Sequence, residues 1–186
     1  MSTIKYQVEF FSQWHCGSGL SAGADVDALV IKDKNGLPFI PGKTIKGLVR
    51  EAVENYLQFT GKSDELFEET FGFFQDSENF SQGQAFFSNA TLSKEEQDAI
   101  VQEKLQDYIY NKVTSTAIDE NGIAEDHSLR AMETVVPCTL HGTIEDVPED
   151  MAEIITKSLG LIKRLGQKRN RGLGRCEFRT EKGGNQ

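Results

Sequence analysis

The chain has 186 residues, a formal net charge of −9 and 38% hydrophobic residues, including twelve Phe. That length suits one domain, or one domain with a large insertion, and the apolar content is enough for a real core. No run approaches the roughly eighteen apolar residues of a membrane span. The N-terminal Met1 to Tyr6 lacks a signal peptide's apolar stretch, and the odd trio Cys16, Cys138 and Cys176 offers no disulfide framework. A cytoplasmic protein with no membrane partner is the expectation.

Residues 4–13 alternate apolar and polar, with Ile4, Tyr6, Val8 and Phe10 on one face, which predicts a first strand. Gly17, Gly19 and Gly23 then make a loop through which backbone can approach a ligand closely. Asp25 and Asp27 precede the apolar run 28–31, which has strand character, and Asp33 to Gly36 reads as a hairpin-like turn.

Residues 36–50 are the most informative stretch. Gly36, Pro38, Pro41 and Gly42 punctuate two turns, and a proline-free run from Lys43 to Tyr56 follows. Ile45, Leu48, Val49, Ala52, Val53 and Tyr56 recur at helical spacing, giving one buried face. Lys46 and Arg50 lie four apart and share a helical face. Open N–H groups at a helix start, with cations in the first turns, predict an anion site. Gly42, Lys43 and Thr44 match the end of a nucleotide phosphate loop, but five residues instead of four separate Gly36 from Gly42, so the motif fails. A helix start with no ligand remains the plain alternative.

Ser63, with Leu66 and Phe67, suggests a short capped helix, and 75–82 reads as a polar loop. Residues 84–90 predict a second strand, and Ser93 with Glu96 forms a capping box opening a helix at 94–112. The polar, Gly-broken run from Thr114 to His127 is long for a loop, as functional loops often are. Leu129 to Ile144 is strand-like, with Pro137 marking an edge or bulge. Another helix starts near Val147 and buries Ile154, Ile155, Leu159, Ile162 and Leu165. A cationic glycine loop, Gly166 to Arg175, leads into a last strand.

Charge is unevenly spread. Residues 157–182 hold nine basic residues against Glu177 and Glu181, net +7, so the remainder of this −9 chain carries −16. A basic patch on an acidic body suits a nucleic-acid partner, and a solvated basic face is its bland counterpart. The β-α-β-β-α-β order predicts an α+β, ferredoxin-like core with an inserted helix and loop. Such an open sheet serves single-strand RNA readers, although their usual sheet aromatics are absent here.

Three stretches, in order, resemble the RAMP superfamily, the repeat-associated proteins of CRISPR effector complexes. They are the Pro41–Arg50 helix start, with Thr44 where serine is commoner; the helix-then-strand region from Leu66 to Ala90, with Asn89 in place of the usual acid; and the glycine loop 166–175. Within that superfamily the chain is most similar to the backbone subunits of type III (Csm and Cmr) antiviral effectors. The resemblance implies one RAMP domain over 1–182, with a thumb-bearing insertion at about 91–130 and a 183–186 tail. It implies guide RNA, target RNA, other effector subunits and copies of the chain itself as partners. Lys43, Thr44, Lys46, Arg50, Lys168, Arg169, Arg171, Gly172 and Gly174 are the expected RNA-binding residues.

The resemblance also places the target-cleaving aspartate six residues before the turn acid Asp33, at Asp27, with Asp25 as its competitor. A lone aspartate beside held RNA can take a ribose 2′-OH proton or bind a divalent metal, here expected to be Mg2+. The thumb, 114–130, would splay the strand for in-line attack. Two alternatives stand: a non-catalytic subunit that binds guide RNA and assembles the complex, and a guide-processing endoribonuclease using His15. The histidines and cysteines show no zinc spacing.

Overall fold

The computed structural model describes residues 1–23, 25–61, 65–74, 76 and 79–180. The Ser63 cap, Lys182 and the 183–186 tail lie outside the described residues. Strand β1 (Ser2–Phe10) buries Ile4, Tyr6, Val8 and Phe10 at every second position, as its alternation predicts. It lies between two antiparallel partners, β9 (Thr139–Val147) and β10 (Cys176–Thr180). Beyond β9 come β5 (Phe86–Phe87) and β6 (Ala90–Thr91), with β2 (Phe39–Ile40) at the far edge. Helices α1 (Gly42–Thr60) and α4 (Glu149–Leu159) pack together and on the sheet.

With β5 and β6 taken as one broken strand, the elements run β1-α1-β5/β6-β9-α4-β10, and the sheet order is β10-β1-β9-β5/β6. This is the expected ferredoxin-like arrangement, antiparallel throughout. Val8, Ile40, Ile45, Val49, Leu140, Ile144, Ile155 and Leu165 are fully enclosed in its core. Each such side chain contributes about 1.5–3 kcal/mol relative to exposure.

Two expected elements are divided. The helix opened by Ser93 keeps its capping box but ends early: α3 spans Lys94–Gln102. It buries no residue, so no packing carries it further. Lys104 turns the chain at φ +55°, a 3-10 turn covers Gln106–Ile109, and β7 (Tyr110–Ser115) begins. The Leu129–Ile144 run is also two strands. β8 (Arg130–Val135) pairs with β7, whereas β9 joins the main sheet; Pro137, which has no N–H to give a ladder, lies between them.

Elsewhere the differences are smaller. Helix α2 (Phe67–Phe71) leads into β3 (Gly72–Phe74), which pairs with β4 (Phe80–Gln82), the end of the stretch 75–82 that was expected to be loop; residues 75, 77 and 78 lie outside the described residues. Ile162 and Leu165 are buried as expected, but from the loop after α4. Among the described residues no helix is long and apolar enough to cross a membrane.

Candidate functional site

The start of α1 is fixed from outside. Pro41, its N-cap, makes no side-chain cap, and the Asn89 side-chain oxygen accepts the Gly42 N–H instead, at 2.9 Å. A Cβ on Gly42 would stand 2.0 Å from the Phe87 carbonyl oxygen, so no other residue fits. The Thr44 and Ile45 N–H groups both donate to the Pro41 carbonyl. The expectation of open N–H groups at this helix start is therefore narrowed: the Gly42, Thr44 and Ile45 N–H groups have protein partners.

The cationic glycine loop folds back onto residues 13–17. Gln167 N–H donates to the His15 carbonyl at 3.0 Å, and Gly174 N–H to the Gln13 carbonyl at 2.8 Å. Gly166 adopts φ +96°, and a Cβ there would lie 2.4 Å from the His15 carbonyl oxygen. Gly174, also at positive φ, passes too close to the Leu165 carbonyl for any side chain. The Arg164 guanidinium donates to the Arg169 carbonyl and helps to hold the loop. Lys168, in left-handed backbone, donates to Ser115 Oγ at 2.9 Å and links the loop to β7.

Between α1 and this loop lies a cleft of about 440 Å³. Its walls are Lys43, Thr44 and Gly47 on one side, Gly166, Gln167 and Arg169 on the other, with His15, Cys16 and Gly17 also lining it. It adjoins a groove of about 320 Å³ through Leu48, Glu51 and Arg169. Lys163 and Arg164 line that groove, so cleft and groove together present four cations and one acid, Glu51. The two cationic stretches, more than a hundred residues apart in sequence, thus meet in space.

Of the expected RNA contacts, Lys43, Thr44 and Arg169 line the cleft. Arg50 is engaged elsewhere: it pairs with Glu54 at 3.1 Å, donates to the Gly72 carbonyl and lies over the Phe67 ring. Lys46 is half-buried, and that desolvation, followed by the neighbouring Arg50 charge, holds its ammonium below the ordinary lysine range. Arg171 is exposed outside the cleft, and Gly172 has positive φ in open space.

Asp27 is exposed and belongs to a segment that runs along β8. Its N–H donates to the Ala131 carbonyl at 2.9 Å, and its Oδ2 accepts the Ala131 N–H at 2.7 Å. Asp25 faces Lys112 of β7 at 3.7 Å. Glu133, two residues beyond Ala131, makes further ties. Its carboxylate accepts from Lys32 Nζ at 2.8 Å and from the Val30 N–H at 3.0 Å, while its carbonyl lies 2.6 Å from His15 Nδ1. Lys32 also sits 3.7 Å over the Tyr110 ring, whose hydroxyl donates to the Gly36 carbonyl. One strand therefore registers Asp27 and the cleft histidine at attachment points about 7 Å apart.

No group of three or more metal-ligating side chains occurs among the described residues. Asp27 offers a single carboxylate, and magnesium ions usually take one or two carboxylates plus substrate phosphates and water. Glu133 is not singled out by the sequence, and Asn89 stands out there only as a departure from the family pattern, with no sign of its role at Gly42. The signals they do carry are an acid inside an apolar strand and an amide where the family pattern has an acid.

The fold matches chains of solved complexes along nearly their whole length. A chain of the Type III-B Cmr-beta complex bound to cognate target RNA, determined by cryo-EM, superposes with a TM-score of 0.74 at 12% identity, over 97% of both chains. A chain of Cmr-beta in its apo state gives 0.71 at 14% identity, over 97% of this chain and 98% of that one. Comparison with curated proteins by sequence finds no match. The RAMP superfamily family model matches residues 7–177, nearly the whole chain, and the chain belongs to that superfamily.

Proposed function

We propose that this chain is a guide-RNA-binding backbone subunit of a type III CRISPR effector complex and that Asp27 cuts target RNA within it. The observation that carries the reading is the meeting of Lys43 and Thr44 with Arg169 in one cleft, tied through His15 and Glu133 to the strand that holds Asp27. The likeness to Cmr-beta chains supports it. Guide phosphates lie along the cleft, with Lys43 and Arg169 as counter-charges and Thr44 as a hydroxyl donor. Lys46, Lys168, Arg171 and the Gly172–Gly174 backbone extend the contact on either side. Target RNA, neighbouring subunits and further copies of this chain complete the assembly.

The β7–β8 hairpin and its 116–129 connection serve as the thumb, splaying the paired strand so that a 2′-OH lies in line with its phosphate. Asp27 keeps one carboxylate oxygen for this chemistry, because Oδ2 is occupied by Ala131. There it takes the 2′-OH proton as the 2′-oxygen bonds to the phosphorus and the P–O5′ bond breaks, the 5′-oxygen leaving with a proton from water. Alternatively, a divalent ion held by that same oxygen would stabilise charge on the scissile phosphate.

A titration of single-stranded RNA binding against salt tests the cleft. Each phosphate contact contributes about 0.7 to the log–log slope, so a Lys43→Ala/Arg169→Ala double variant should lower the slope by about 1.4. Binding insensitive to salt, or a slope unchanged in the double variant, contradicts the assignment. A second reading, a non-catalytic assembly subunit, draws on the structural hydrogen bonds that Asp27 already makes to Ala131.

A further inference from the structure

We propose that His15 reads the ribose 2′-hydroxyl of the strand in the cleft and so selects RNA over DNA. This rests on the cleft being an RNA-backbone site. The His15 ring is 0% exposed, and its Nδ1 lies 2.6 Å from the Glu133 carbonyl oxygen. A carbonyl oxygen only accepts, so Nδ1 carries a proton, and in the neutral ring Nε2 is left with a lone pair. Nε2 is buried without a partner. Such an orphan is costly and calls for an explanation. Tyr6, Trp14 and Ser158 also hold buried unpartnered atoms, but only His15 lines the cationic cleft.

Gly17 keeps Nε2 approachable. A Cβ on Gly17 would sit 3.0 Å from Nε2, on the space a ligand atom would use. The Gln167 amide nitrogen is 3.1 Å from the same point, and Gln167 is an exposed side chain that can swing aside. The group that fits a lone pair is a hydrogen-bond donor. Phosphate oxygens accept only, so the cations hold them and His15 does not. The 2′-hydroxyl is the donor that recurs beside every backbone phosphate whatever the base, and DNA lacks it.

The test compares binding of the full chain to a mixed-sequence single-stranded RNA and to the same strand with 2′-fluoro sugars, which keep the RNA pucker but cannot donate. The wild-type chain should prefer the hydroxyl strand about tenfold, the effect of leaving one buried acceptor unpaired. His15→Asn retains an amide donor toward the Glu133 carbonyl but has no atom at Nε2. It should bind both strands alike, at the wild-type affinity for the fluoro strand. Equal wild-type affinity for the two strands overturns the inference without using any variant, as does a preference that survives in His15→Asn. Equal, salt-sensitive binding of both strands removes only this inference. Failure to bind either strand removes the cleft reading and this inference with it.

Discussion

Asp27 and Ala131 exchange two hydrogen bonds, N–H to carbonyl at 2.9 Å one way and N–H to Oδ2 at 2.7 Å the other. The proposed catalytic carboxylate is therefore also a structural acceptor. Its position along the chain depends on β8, a strand a hundred residues later. Asp27→Ala leaves the Ala131 N–H without its partner and should destabilise the fold by about 1–2 kcal/mol. Asp27→Asn keeps an acceptor in the same place and should stay within about 0.5 kcal/mol of the parent. Urea unfolding of the two variants separates the structural role from the chemical one.

The start of α1 should tolerate change at one glycine and not at another. Gly42→Ala drives a methyl to within 2.0 Å of a backbone oxygen and should cost at least about 3 kcal/mol. Gly47 has nothing within 4 Å of an added Cβ and lies in the helix interior. Gly47→Ala should stabilise by about 0.5–1 kcal/mol through helix propensity. Thermal unfolding should move in opposite directions for the pair.

Glu133 fastens the Asp27 segment and Lys32 to the β7–β8 hairpin. Glu133→Ala removes the acceptor of the N–H of buried Val30 and the partner of Lys32, which is exposed. A loss of about 1–3 kcal/mol is expected, most of it from the orphaned N–H. Amide hydrogen exchange should accelerate in 27–32 and 110–135 while β1 and β9 keep their protection. Uniform acceleration throughout the chain would argue against a local fastening role.

The cysteines give a pH prediction. Burial pushes the Cys138 thiol up to about 11 and Cys176 up to about 12, and raises Cys16 as well. In the folded chain these thiols hold protons that the unfolded chain releases above its ordinary thiol value of 9.0. Their contribution is therefore lost as pH rises from about 9 toward 12, and stability should fall through that window. At pH 8 all three should resist iodoacetamide until the chain is unfolded, as intact-mass spectrometry would show.

Periodic signals were legible in the sequence. The alternation of Ile4, Tyr6, Val8 and Phe10 and the helical spacing of Ile45, Val49 and Val53 report burial directly, and both elements form as expected. The Ser93–Glu96 box correctly starts α3, but its end was hidden because nothing local marks where packing stops. Pro137 was visible as an edge or bulge within one strand, not as the break between β8 and β9, because which sheet each half joins is a matter of long-range pairing. The two cationic loops were visible, whereas their meeting depends on Gly166 fitting against His15, a contact with no local pattern. Glu133 and Asn89 act across the fold on backbone groups that sequence spacing cannot pair.

Target-RNA cleavage by the complex reconstituted with Asp27→Asn tests the central claim most directly. The substitution removes the carboxylate charge and leaves an acceptor for Ala131, so assembly and guide binding should match the parent. Cleavage should fall at least about 100-fold, the usual loss with a general base. Cleavage at the parental rate by a fully assembled Asp27→Asn complex would contradict the account and leave the chain as an RNA-binding scaffold.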